Sequence, residues 1–241
     1  MTSDRRASGH GGLVWFDEPA PPRATEPLSR ARIVAAAMDL ADHEVRGEIT
    51  MRELAGRVGV RSPMALYRYV GSKDGLVDLM VDEIYGQFAV PRGHGWRDAL
   101  RGLGSSGWAA VQAHPWFARL AFSRPPLGPR ALDVYDAALA EIEPLALDAA
   151  TRMGFISTVL GHVLGSGLAL LEERAMRASV GLPTDDDLAR AAAPYLERIA
   201  AAGSHPHFIR WANDPGRHAA GPQSFEQVLD WLLDGLATLL A

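Results

Sequence analysis

The chain contains no cysteine among its 241 residues. This absence excludes disulfide bonds, cysteine-ligated zinc and thiol catalysis, and it fits a protein kept in a reducing compartment. Lysine is nearly absent as well, because Lys73 stands alone against 23 arginines, a usage typical of GC-rich bacterial genomes. Aromatic residues make up only 7% of the chain, so a local concentration of them is informative.

Targeting signals and β-strand patterns are also missing. Arg5-Arg6 resembles the start of a twin-arginine signal, but Asp17-Glu18-Pro19 and Gly/His-rich residues follow it instead of an apolar core. We therefore expect a cytoplasmic protein. Hydrophobic residues form 48% of the chain and recur at helical spacing. The sequence predicts an all-α protein with enough apolar content for a sizeable core.

Two helix starts lie close together between Thr50 and Lys73. Thr50 followed by Glu53 is a capping box, in which each side chain accepts from the other residue's backbone N–H. Gly59 supplies a residue at which that helix can end in the left-handed conformation. Ser62-Pro63 then opens a second, short helix that runs to about Val70. This layout predicts a helix-turn-helix.

Basic charge is concentrated on the same unit. Thr50–Lys73 holds five basic residues against one acid, in a chain whose net charge is −5. Such a local excess indicates phosphate binding. The second helix packs inward through Leu66 and Val70, so the outward positions are predicted to be free for a partner: Arg61, Met64, Tyr67, Arg68 and Tyr69.

Four motifs stand in this region: Ile49-Thr50-x-Arg52-Glu53-Leu54-Ala55, Gly59-Val60, Leu66-Tyr67-x-Tyr69-Val70 and Lys73-x-x-Leu76. They resemble the N-terminal domain of tetracycline-repressor-type (TetR family) transcriptional regulators over about residues 28–80. The resemblance implies an all-helical homodimer, with DNA-binding heads of three helices and a larger ligand-binding, dimerising body. The family commonly has four residues between the second and third motifs, whereas this chain has five.

The resemblance also implies roles for individual residues at the DNA. Phosphate contacts are expected from Tyr67, Tyr69 and Lys73. Base contacts are expected from Arg52, together with one of three residues around the start of the second helix: Arg61, Ser62 or Pro63.

Three parts follow along the chain. Residues 1–27 carry prolines and glycines without periodicity and predict a flexible arm, in which Arg5, Arg6 or Arg23 is an alternative minor-groove contact. Residues 28–73 form the predicted helix-turn-helix domain, and residues 74–241 the predicted ligand-binding and dimerisation body. A connector helix is expected to start at Ser72 or Asp74 and to run through Phe88.

Aromatic residues concentrate in the first half of the body. The group indicates an apolar pocket with a few polar groups, although each member alone is equally well explained as ordinary core. On the long apolar helix that follows, a histidine is either a ligand contact or a core residue bonded to a carbonyl. The predicted ligand-binding residues are Trp108, Gln112, His114, Trp116, Phe117, Phe122, Tyr135, Phe155 and His162.

Residues 153–171 contain no formal charge, and this uncharged run is long enough to span a membrane, which is the alternative interpretation. Glycines, serines and a histidine dilute the run, so a helix buried between the pocket and a dimer partner is favoured. The last helix, capped by Ser224, carries a wide apolar stripe. The dimer interface is predicted from both helices: Val159, Val163, Leu229, Leu232, Leu233 and Leu236.

The expected function is a ligand-responsive transcriptional regulator, most simply a repressor, that binds a palindromic operator as a homodimer. A small apolar or aromatic effector would fill the pocket and change the affinity for double-stranded DNA. Two rivals remain: a DNA-binding regulator without a ligand, and an enzyme that uses the pocket. The match of Gly102–Gly107 to a dinucleotide-binding fingerprint lacks the preceding strand. No catalytic residue, cofactor or metal site is predicted.

Overall fold

A computed structural model describes residues 14–16, 28–44, 49–214 and 222–240. Within these ranges the chain is helical and contains no strand, which confirms the all-α prediction. The helices are α1 Arg30–His43, α2 Met51–Val58, α3 Met64–Val70, α4 Lys73–Tyr85, α5 Trp96–Ala113, α6 Trp116–Phe122, α7 Pro129–Ile142, α8 Ala149–Val180, α9 Asp185–Ala201, α10 Pro206–Ala212 and α11 Pro222–Ala237.

The head consists of α1, α2 and α3. The capping box at the start of α2 is confirmed: Thr50 N donates to Glu53 Oε2 at 2.9 Å, and Glu53 N donates to Thr50 Oγ1 at 3.2 Å. Gly59 ends α2 with φ of 81°, in the left-handed region that glycine adopts without strain. Leu54 and Leu66 are fully buried beneath α1, so the helix-turn-helix is held by its apolar face.

The connector, α4, joins the head to the body. Ser72 Oγ caps it by accepting from Gly75 N at 2.9 Å. Near its other end Asp82 Oδ1 accepts from Ala131 N at 3.0 Å, so a side chain of α4 caps the first turn of α7. Gly128 permits this approach, because a Cβ there would lie 2.1 Å from Asp82 Oδ1.

The body packs α5, α6, α7 and α11 around α8. The predicted apolar helix is longer than its uncharged run, because Asp148 caps its start and Gly181, with φ of 69°, ends it. Phe155, Ile156 and Val163 lie in the core. By length and composition α8 alone among the described helices could span a membrane, and its packing at the centre of the bundle explains the apolar run.

Two regions depart from the predicted organisation. The first is Pro206–Ala212, which form α10, a helix that the sequence did not lead us to expect, and pack against α9. Within the predicted arm, Val14–Phe16 form a 3-10 turn against α4, and Val14 is buried beside Gly75. The other arm residues named above, Arg5, Arg6 and Arg23, lie outside the described residues.

Candidate nucleic-acid interface and effector groove

The outer surface of the helix-turn-helix carries most of the predicted DNA contacts. Pro63 and Tyr67 are half-buried, and the others are exposed: Arg52, Arg61, Ser62, Met64, Arg68 and Lys73. Because α3 begins at Met64, the candidates Arg61, Ser62 and Pro63 lie in the turn that precedes it. Among the described residues, Arg52 and Arg61 have no ion-pair partner. Their guanidinium groups are therefore available to an anionic partner.

Tyr69 does not belong to this surface. Its relative exposure is 4%, and it packs in the core of the head. Arg30 Nε donates to its backbone carbonyl at 2.8 Å, which fastens the end of α3 to α1. The prediction that Tyr69 faces outward is wrong, because α3 places it on the same side as Leu66 and Val70.

Arg57 shows how one basic residue of the unit is neutralised. It lies on α2 and forms an exposed ion pair with Asp39 of α1. The excess positive charge of the helix-turn-helix therefore comes from its outer face, where Arg52 and Arg61 stand.

Two predicted pocket residues join the body to the head instead. Asp42, near the end of α1, accepts from His114 Nδ1 at 2.7 Å and from Trp116 Nε1 at 2.6 Å, both at the same carboxylate oxygen. Trp116 is 2% exposed. The prediction that these side chains line a common pocket is wrong, because both are turned toward Asp42 at the corner between α5 and α6.

Three further candidates are also separated from one another. Phe117 is fully buried and makes edge contacts with Tyr85 and Phe88 of the connector region. Phe155 packs on Trp96 at the far end of α5. Phe122 is 57% exposed. These three do not line a shared cavity, which corrects the predicted single pocket.

Tyr135 of α7 reaches the connector. It accepts a hydrogen bond from Tyr85, and burial, followed by the neighbouring Tyr135, raises the pKa of the Tyr85 phenol. Burial also raises the pKa of Tyr135. Both phenols are therefore neutral across the physiological range, and they connect α4 to α7 without charge.

Trp108, Gln112 and His162 do come together. With Phe225 and Val228 of α11 and Ser166 of α8 they line a cavity of about 460 Å³, named here the α5/α8/α11 groove. The Phe225 ring lies between the other two rings, 4.6 Å and 9° from Trp108 and 4.3 Å and 8° from His162. Among the described residues, the buried Trp108 Nε1 has no hydrogen-bond partner.

His162 also bonds to the backbone. Its Nε2 lies 3.2 Å from the Phe225 carbonyl oxygen, and its Nδ1 lies 3.4 Å from Ser166 Oγ. His162 therefore has features of both predicted alternatives: it lines the groove, as a ligand contact would, and it bonds to a backbone carbonyl, as a core histidine would. The sequence did not identify Phe225 as a residue of this groove, because there it is one more apolar residue of the last helix.

The residues predicted to form the dimer interface differ in how deeply they are buried in the protomer. Val159, Val163, Leu229 and Leu233 are buried inside the protomer, so the prediction that they contact a partner is wrong. Leu232 and Leu236 are half-buried. The same helices expose other residues: Ser157, Gly161 and Gly165 on α8, and Trp231 and Gly235 on α11. A Cβ added at Gly161 or Gly165 would meet nothing within 4 Å in the protomer.

The glycines of the fingerprint-like run lie inside α5 and face neighbouring helices. A Cβ at Gly104 would lie 2.7 Å from Leu229, and one at Gly107 would lie 3.0 Å from Phe88. Close packing therefore accounts for these glycines. Among the described residues, no group of three or more histidine and carboxylate side chains is placed to hold a metal ion.

Comparison with known proteins places this architecture in a family. Residues 90–240 match the model of the tetracyclin repressor-like, C-terminal domain. The HTH-type transcriptional repressor DrrR1 of Streptomyces coeruleorubidus is 34% identical over 95% of this chain and 85% of its own length.

Solved structures agree in fold. The Streptomyces coelicolor TetR family protein ActR, solved in complex with actinorhodin, is 24% identical and covers 90% of this chain and 100% of its own, with a TM-score of 0.71. The class A TetR, in complex with 5a,6-anhydrotetracycline and magnesium, is 26% identical with a TM-score of 0.58, and covers 88% and 99%. The chain therefore belongs to the tetracycline-repressor (TetR) family of transcriptional regulators.

Proposed function

We propose that the protein is an effector-responsive repressor that binds a palindromic operator as a homodimer. The observation that carries the proposal is the outer face of the helix-turn-helix, where Arg52, Arg61 and Lys73 are exposed on a chain that is acidic overall. Two such heads related by a two-fold axis would enter major grooves about 34–36 Å apart. The naming of DrrR1 as a repressor supports repression.

Selection of bound duplexes from a random pool tests the operator and the dimer together. We expect an inverted repeat with half-sites one helical turn apart. Arg52→Ala should then weaken specific binding by about 1–3 kcal/mol and relax the preference at one symmetric pair of positions. Arg57→Ala is the matched control, because Arg57 lies on the same helix but pairs with Asp39. A uniform loss of affinity with an unchanged preference would make Arg52 a phosphate contact.

The exposed faces of α8 and α11 are the proposed dimer surface. Trp231 is 61% exposed on α11, which is unusual for so large an apolar side chain, and Gly161 and Gly165 allow another helix to approach α8 closely. We expect Trp231→Asp to give monomers, because a charge would be buried without a partner. Sedimentation velocity measures this, with Phe208→Asp on α10 as the control at a similarly exposed aromatic. Dimers that survive Trp231→Asp would move the interface elsewhere.

The effector site proposed is the α5/α8/α11 groove. The stacking of the Phe225 ring with Trp108 and with His162 supports a site for a flat apolar group at the same position. Trp108 Nε1 offers a donor to a polar atom of the effector. The ligands bound in the ActR and class A TetR structures support a small-molecule effector for this chain.

A path from this groove to the head runs through α5. Ser106, two residues before Trp108, accepts from Ala89 N at 2.8 Å, just after the connector. Phe88 packs against Gly107 of the same helix. An effector that shifts α5 therefore acts on the chain that follows α4. It lowers operator affinity only by the difference between its affinities for the two head positions.

Anhydrotetracycline serves as the first probe for this site, because a related repressor binds it. His162→Leu should weaken binding by about 1–2 kcal/mol through the loss of one buried polar contact, measured by titration calorimetry. His114→Leu is the control, since that histidine faces Asp42 instead of the groove. If His162→Leu lowers thermal stability and leaves the isotherm unchanged, the histidine is structural.

A further inference from the structure

A second cavity, of about 590 Å³, lies between the head and the body, and we name it the head–body cleft. Its walls include Val34 of α1, Leu79 and Asp82 of α4, Leu127 and Leu132 beside and on α7, and Trp15 of the N-terminal turn. None of these residues lines the α5/α8/α11 groove. The volume falls within the range of small-molecule sites, and the walls are mainly apolar.

Asp82 brings a buried carboxylate into this cleft. The residue is 2% exposed, and its Oδ1 is engaged by Ala131 N at 3.0 Å. Among the described residues, its Oδ2 has no hydrogen-bond partner. Burial raises the pKa of this carboxyl. A buried carboxylate oxygen without a donor is unfavourable, so this oxygen favours any donor that enters the cleft.

The nearby cations are already engaged. Arg130 Nη1 lies 3.6 Å from Asp82 Oδ2, beyond hydrogen-bond distance, whereas its Nη2 lies 3.0 Å from Glu83 Oε2. Arg30, which also borders the cleft, donates from Nε to the Tyr69 carbonyl. Among the described residues, no side chain around the cleft donates a hydrogen bond to Asp82 Oδ2.

We propose that the head–body cleft binds an organic amine, with its ammonium group donating to Asp82 Oδ2 and its apolar part lying against Trp15, Leu127 and Leu132. An ammonium group supplies the close hydrogen-bond donor that this oxygen lacks, and its charge adds to that of Arg130, which pairs with the oxygen at 3.6 Å. A donor is favoured over an anionic ligand, because Arg130 already pairs with Glu83 and Arg30 donates to the Tyr69 carbonyl, whereas Asp82 Oδ2 has no hydrogen-bond donor among the described residues. The walls belong to the head and to the body, so a bound amine favours the head position in which both contact it.

Titration calorimetry on the full chain tests the site with two probes of equal shape, 1-naphthylmethylamine and 1-naphthylmethanol. The amine should bind roughly 10-fold to 100-fold more tightly than the alcohol, as expected for one charge-assisted hydrogen bond. Asp82→Asn should remove this preference, because it removes the charge while keeping an acceptor for Ala131 N. Asp136→Asn is the matched control, an exposed acid on α7 that lines neither cavity.

Leu132→Arg keeps the test decisive if Asp82→Asn does not fold. Leu132 is exposed at the rim, so the change is tolerated, and the added cation occupies the position of the amine. Loss of amine binding in Leu132→Arg and its retention in His162→Leu support the cleft and separate it from the proposed effector groove. Equal affinity for amine and alcohol, no heat of binding with the amine, or a preference that survives Leu132→Arg overturns the proposal.

Discussion

The junction at Asp42 gives the sharpest stability prediction. One carboxylate oxygen of the head accepts from two side chains of the body, His114 and Trp116. Asp42→Ala removes that oxygen and leaves both donors without their partner. The consequences differ, because the His114 side chain is 18% exposed and can turn to water, whereas Trp116 is almost fully buried.

The expected loss follows from this difference. A buried donor left unsatisfied costs about 1–3 kcal/mol, and a partly exposed histidine pair adds at most about 1 kcal/mol. We therefore expect Asp42→Ala to lower the free energy of unfolding by about 1–4 kcal/mol. Asp39→Ala, three residues earlier on the same helix, should cost only about 0.2–1 kcal/mol, since its partner Arg57 is exposed.

Urea unfolding at one fixed protomer concentration measures both losses, because the apparent stability of a dimer depends on concentration. Combining Asp42→Ala with Trp116→Phe completes the test, since the second change removes the stranded donor. The double variant should recover part of the loss, with a coupling energy of about 1–2 kcal/mol. Equal and small losses in Asp42→Ala and Asp39→Ala, or strict additivity in the double variant, would refute a buried bond between head and body.

Two further predictions concern the connector and the long core helix. Burial raises the folded-state pKa of Asp82 above its ordinary value of 3.8. The unfolding free energy of the wild type minus that of Asp82→Asn should therefore fall as pH rises from 3.8 through the raised pKa, in urea titrations at stepped pH. Gly161→Ala should raise protomer stability by about 1 kcal/mol because nothing opposes the new methyl, yet weaken the dimer in sedimentation. Gly107→Ala should not raise protomer stability, because Phe88 lies 3.0 Å from the added carbon.

Local features of the head could be predicted from the sequence. Three such features are present in the structure: the capping box of Thr50 and Glu53, the helix end at Gly59 and the helix cap at Ser72. Each depends only on residues within one helical turn. Hydrophobic spacing likewise identified the last helix, α11, although it begins at Pro222 and not after Ser224. In these segments the local pattern and the tertiary fold specify the same arrangement.

The tertiary contacts of individual side chains could not be predicted from the sequence in the same way. Trp116 and Phe117 are adjacent, yet one bonds to Asp42 and the other packs on Phe88. Both were predicted to line one pocket because they are close in the sequence, but residues that are close in the sequence can face different parts of the structure. The prediction that Val159 and Val163 contact a dimer partner was wrong for a similar reason. The sequence of a helix that is apolar on all sides does not indicate which side is covered by its own protomer.

Three contacts made by α4 and the loop that follows it define how the head can respond to the body. Asp82 caps α7, Tyr85 bonds to Tyr135, and Ala89 bonds to Ser106 of α5. Asp42 adds a contact from α1 that bypasses α4. A head movement that keeps the α7 cap but opens the Asp42 junction would expose two donors, at a cost comparable to the coupling energies of known allosteric proteins, about 1–3 kcal/mol. We therefore expect an effector with a differential affinity of that size to be sufficient to change the head position.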